Sequence, residues 1–212
     1  MSRPRRYVAR SAAVLVAAVV ALVATAGPTW PWVTIAPAGS PVTFVGTAIK
    51  LTDIPAAHTV SCTSFGVAGV VTPAAGTNLA YGASTANLAT MTSSGCTNPI
   101  AGACTLTGSG VWGFALTGPV SGGLWPARFS NVRVAAVCGS VGCSFTMTGA
   151  VDGRFDRTVG SPTYQRFTPV TGSSGLLVAA SPAPSAGCAL LDVVAGDDVA
   201  VGGYLTNTGT AI

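Results

Sequence analysis

The chain has 212 residues, 49% hydrophobic and 8% charged, with no glutamate and a formal net charge of +4. Four of its ten basic residues (Arg3, Arg5, Arg6, Arg10) fall in the first ten positions, and from residue 27 onward six cations face six aspartates. The basic balance therefore belongs to the N-terminus and removes the case for nucleic-acid binding, which needs a clustered basic face.

Residues 1–26 have the layout of an export signal: a basic stretch, the apolar run 11–24, then Ala24-Thr25-Ala26 with small side chains where a signal peptidase must accommodate them. The apolar run is shorter than the roughly 20 residues that cross a bilayer. A signal helix cleaved after Ala26 is expected, with retention as an anchor as the other reading, and membrane contact is expected through this segment only. Residues 27–41, "GPTWPWVTIAPAGSP", contain four prolines and no period, so they read as a Pro-rich linker or N-terminal arm. Trp30 and Trp32 in that arm either pack on the domain or form an aromatic tether.

Residues 42–212 are expected to form a single β domain. They are rich in Gly, Ala, Thr, Ser and Val and poor in strong helix formers. Strands are expected at 42–51, 59–71, 87–92, 103–107, 111–117, 129–138, 143–151, 176–180 and 199–206. Gly, Pro, Ser and Asn clusters separate them, the spacing of an antiparallel sandwich or barrel. The clearest alternation follows Cys143: Phe145, Met147, Gly149 and Val151 share its face, Ser144, Thr146, Thr148 and Asp152 the other. A bend is expected at Gly149 and Asp152-Gly153. Trp112 and Phe114 share a strand face and read as core, with a sugar- or lipid-contacting platform as the alternative.

All six cysteines (Cys62, Cys96, Cys104, Cys138, Cys143, Cys188) lie beyond the signal segment. An even number in an exported chain predicts three structural disulfides that staple the domain, among fifteen connectivities. The reading adopted, one of the fifteen, is Cys62–Cys96 between two early strands, Cys138–Cys143 at a hairpin tip and Cys104–Cys188. There is no CxxC and one histidine, His58, which argues against a zinc or thioredoxin-like site.

A Ser-His-Asp hydrolase would have to use His58, yet no GxSxG elbow is present, and "GSSG" at 172–175 reads as a turn. His58 is expected in a loop beside Pro55. Paired carboxylates must come from six aspartates. Asp152 and Asp156 are expected in a strand-to-turn transition, where Arg154 and Arg157 could pair with them, and Asp197-Asp198 in a turn. Asp192, Asp197 and Asp198 supply hard oxygens for calcium, but their spacing matches no EF-hand loop. No catalytic, cofactor-binding or metal residue is assigned, and no Walker A loop or dinucleotide fingerprint occurs.

Ser61-Cys62, Gly95-Cys96, the Cys143 strand ending in Thr148-Gly149, Gly187-Cys188 and Gly196-Asp197 together resemble the small exported, cysteine-containing β-rich proteins of high-GC actinobacteria. The resemblance implies a secreted or envelope location and a β architecture, and transfers no catalytic residue. The expectation is an exported non-enzymatic structural or binding protein whose partners would be cell-envelope components. An Asp-based secreted hydrolase and an envelope β-barrel pore are the alternatives.

Overall fold

The computed structural model describes residues 32–33, 36–158, 165–172 and 174–212. The signal segment 1–26 and Trp30 lie outside the described residues. The strands are β1 (Trp32–Val33), β2 (Pro41–Asp53), β3 (Thr59–Val71), β4 (Asn78–Leu79), β5 (Ala86–Asn98), β6 (Gly102–Gly108), β7 (Trp112–Leu116), β8 (Trp125–Cys138), β9 (Cys143–Asp156), β10 (Gln165–Pro169), β11 (Leu176–Val178), β12 (Asp198–Gly202) and β13 (Leu205–Asn207). Short 3-10 turns occupy Gly139–Val141 and Ala186–Leu191.

Strands β1 and β4 form a small ribbon; the other eleven make one antiparallel sheet that closes on itself. Eleven strands occupy eight positions, because β6 and β7 lie end to end between β5 and β8, β10 and β11 lie end to end along β9, and β12 and β13 share the place beside β2. Each position neighbours the next in sequence, and the last pairs with β2. The molecule is an up-and-down barrel, which resolves the choice between sandwich and barrel.

An eight-position barrel has a lumen just wide enough for side chains to fill it, or for one small ligand. One end of this lumen is filled. Phe44, Phe114, Phe129, Phe155 and Phe167 reach in from β2, β7, β8, β9 and β10, each fully buried. Their rings meet at centroid separations from 4.6 Å (Phe129–Phe167) to 6.2 Å (Phe44–Phe155), mostly edge-on or tilted, as aromatic quadrupoles prefer. Gly153 makes the room: a Cβ there would stand 2.3 Å from the Phe167 ring. Trp112 and Phe114 are core residues, as expected, with Trp112 stacked toward Phe65.

The other end is laced by cysteine. Cys62, Cys96, Cys104, Cys138 and Cys143 are successive register partners across β3, β5, β6, β8 and β9. The bonds are Cys62–Cys96, Cys104–Cys138 and Cys143–Cys188, and none of the described cysteines is free. The first agrees with the sequence reading. Cys138–Cys143 and Cys104–Cys188 are incorrect: Cys138 and Cys143 do face each other across the hairpin, but Cys138 also faces Cys104 on its other side and bonds there. Cys143 then joins Cys188 on the 3-10 turn, tethering a cap whose Leu191 and Val193 close the lumen.

Other expectations change as well: 199–206 is not one strand but two, β12 and β13. Strand β9 does not bend out of the sheet at Asp152-Gly153 but pairs with β8 through Phe155. Strand β5 runs past Thr92 to Asn98, with Gly95 at φ +58 inside it. Strand β10 was not expected; buried Gln165 anchors it, bonding the Ile212 N–H (2.7 Å) and C=O (2.9 Å) and the Asn207 amide (3.1 Å).

Candidate functional site

Two places gather polar chemistry. The first is the capped end of the lumen. Along β2, Val42 and Phe44 point inward, and so do Ile49, Leu51 and Asp53, which strict alternation would place on the opposite face. The phase change sits at Ala48, held at φ +56, where β13 hands over to β12 along β2 with a shift in register. That irregularity turns Asp53 into the barrel, where it is 6% exposed.

Asp53 Oδ1 accepts the Ala56 N–H at 3.2 Å, while Oδ2 is buried with no hydrogen-bond partner. It borders a cavity of about 20 Å³ lined by Leu51, His58, Asn98, Met147 and Leu191 among others. Burial pushes the Asp53 carboxyl above the usual carboxylate range; the Ala56 N–H opposes this, the nearby Asp197 carboxylate adds to it, and His58 opposes it weakly. His58 lies in the turn between β2 and β3, where its C=O accepts the Asp53 N–H. Asn98 Oδ1 accepts the Ile100 and Ala101 N–H groups, and its amide donates to Thr59 C=O.

In the sequence Asp197 stands with Asp192 and Asp198 as a source of oxygen ligands. Asp197 instead faces Asp53 and accepts the Val194 N–H at 2.7 Å. Asp192 ends the 3-10 turn at φ +49, and the Asp198 C=O accepts from Ile54. Among the described residues no three His, Cys, Asp or Glu side chains gather as a metal set. Asp53 itself was missed; the break in alternation between Phe44 and Ile49 was the available signal.

The second place is the outer wall around the phenylalanine end. Asp152, Arg154 and Asp156 alternate along β9 onto one face. Asp152 pairs not with Arg154 or Arg157 but across the sheet with Arg128, in a two-pronged contact of 2.7 and 2.8 Å. Asp156 turns one oxygen to the Thr158 N–H and hydroxyl. Arg157 donates to the Ile212 C=O and lies over Trp125, its pKa lowered by burial. Arg154, Asp156 and Arg166 line a groove of about 490 Å³ walled by Leu124, Val170 and the Thr168 and Thr171 positions.

Comparison with protein-family models, with curated proteins and with solved structures finds no match to this chain. No helix among the described residues is long and apolar enough to cross a membrane. The three disulfides fit an extracellular protein.

Proposed function

We propose that the protein is an exported, non-enzymatic binding protein of the cell envelope or extracellular space, using the barrel as a rigid scaffold and its outer wall as the recognition surface. The observation that carries this reading is the phenylalanine plug: five rings occupy the volume where a barrel of this size would hold a ligand. Recognition then falls to the exterior. The same plug speaks against a pore, whose lumen would be polar and wet. The export signal, the cysteine pairing and the resemblance to exported actinobacterial β proteins support the location.

A second reading, an Asp-based hydrolase, has one observation in its favour, a buried Asp53 carboxyl with an unpartnered oxygen lining a cavity together with His58. The cavity there is about 20 Å³, room for roughly one water rather than a sugar or peptide unit. The test is expression of the full chain in a Gram-positive host, with N-terminal sequencing and thiol titration of the culture medium. A secreted product starting near Gly27 without free thiols is expected. A cytoplasmic product with free thiols overturns the reading, and hydrolysis of glycan or peptide substrates lost in Asp53→Asn and Asp197→Asn would replace it with the second.

A further inference from the structure

From residue 27 onward the chain has six cations, and four of them, Arg128, Arg154, Arg157 and Arg166, lie on or just beyond the adjacent strands β8, β9 and β10 at the phenylalanine end. Two are occupied: Arg128 by Asp152, Arg157 by the Ile212 C=O and the Trp125 face. Arg154 and Arg166 are not ion-paired among the described residues. Arg166 stands directly opposite Asp156 in register, where a cross-strand pair would be the ordinary outcome. Asp156 turns to Thr158 instead, and the Arg166 guanidinium lies over the Tyr204 ring at 4.2 Å, its Nε buried without a hydrogen-bond partner.

Arg154 is opposite Thr168 and Arg166 opposite Asp156, so the two arginines are diagonal neighbours on one outer face, with Cα atoms about 7–8 Å apart by sheet geometry. That separation lets two guanidinium forks converge on one oxyanion, and the planar fork suits carboxylate and phosphate oxygens. Stacking on Tyr204 fixes the plane of Arg166 beforehand, which lowers the entropic cost of binding. The groove between them has the volume of a small-molecule site. Leu124, Pro169 and Val170 give it an apolar wall, Thr168 and Thr171 add hydroxyls, and Asp156, the one carboxylate in its lining, has an oxygen engaged by the Thr158 N–H and hydroxyl.

We propose that this groove binds a small molecule carrying a phosphate or carboxylate on an apolar body, with Arg154 and Arg166 clamping the oxyanion and the Leu124–Val170 wall holding the body. The proposal rests on the reading of the protein as an exterior binder and specifies its ligand class.

The test is a titration of the ¹⁵N-labelled, disulfide-bonded protein with inorganic phosphate, phenyl phosphate and benzoate, following the arginine Nε–H signals. Saturable shifts are expected at Arg154 and Arg166 and none at Arg133, which is exposed on β8 away from the groove. Phenyl phosphate is expected to bind at least tenfold more tightly than inorganic phosphate, and its rank against benzoate identifies which oxyanion the site prefers. R154Q is expected to weaken binding at least tenfold with an unchanged unfolding midpoint, since Arg154 makes no ion pair or side-chain hydrogen bond among the described residues. R166Q is expected to do the same, with a small midpoint change. Absence of saturation with all three probes, equal shifts at Arg133, or full affinity in both variants would overturn the proposal. A silent titration on a secreted, fully disulfide-bonded protein removes the ligand class and leaves the exterior-binder reading standing. A reduced cytoplasmic chain removes that reading whatever the titration gives.

Discussion

At one end of the barrel five phenylalanine rings fill the lumen edge to face; at the other the lumen is drawn in by a row of cysteines, shut by a tethered cap, and left with a buried carboxyl beside a water-sized cavity. The first end is held by dispersion and burial, which need no particular pH or redox state. The second is held by covalent bonds and contains a group whose burial costs stability when it is charged. Robustness and sensitivity to conditions are thus placed at opposite ends of the same strands.

Removing a ring from the aromatic end should have the largest effect. Phe129 contacts Phe44, Phe114 and Phe167, and Phe129→Ala is expected to cost about 3–5 kcal/mol in a denaturant titration followed by tryptophan fluorescence. A cost below about 1 kcal/mol would show that the plug is not the main support of that end.

Next comes the tether. The double replacement Cys143→Ala/Cys188→Ala is expected to cost about 2–4 kcal/mol. Amide exchange should quicken around 186–193 and not around Phe44 or Phe155, and the Asp53 carboxyl should return toward the ordinary range as the cap loosens, seen in its carboxyl ¹³C shift. Uniform loss of protection over both ends would break the contrast.

Smaller still is the effect of the carboxyl itself. Because the Asp53 pKa is raised in the folded state, the native protein holds this proton more tightly than the unfolded chain. Its contribution is complete at pH values below the ordinary carboxylate range and is lost as the pH rises through the raised value. Asp53→Asn keeps the shape without the charge, and is expected to raise stability at pH 7 while removing that loss. Parallel stability-against-pH curves for the two proteins between pH 3 and 7 would contradict the assignment. The smallest change is expected from Arg128→Gln, about 0.2–1 kcal/mol and reduced by salt, because the pair with Asp152 is solvent-exposed.

Much of the wall of the barrel could be read locally. Strand β3 was expected at 59–71 and occupies those residues, because Gly, Pro and Asn punctuation brackets a β-branched run. Closure could not be read, since it depends on β2 meeting β12 and β13 more than 140 residues away in the chain. Strand β10 escaped because "QRFTP" is polar and Pro-bounded; its anchor is Gln165, whose three partners lie more than 40 residues distant. The number of disulfides followed from parity, but their pairing did not. In a row of register partners an inner cysteine has a neighbour on both sides, and local spacing favours the hairpin partner that Cys138 declines. The arginine groove was hidden for a similar reason. Adjacent charges in "VDGRFDR" suggested pairing along the chain, whereas alternation sends Asp152 across to Arg128 and leaves Arg154 open.

Closure of the ring bears on how this chain behaves in company. With 8% charged residues and equal numbers of cations and aspartates after residue 26, neighbouring copies have little electrostatic repulsion to keep them apart. An open sheet of such strands would offer unpaired N–H and C=O groups along two long edges, the template on which β-rich chains polymerise. Pairing β2 with β12 and β13 spends those groups within one molecule, which removes from the main sheet the long edges on which such chains would polymerise.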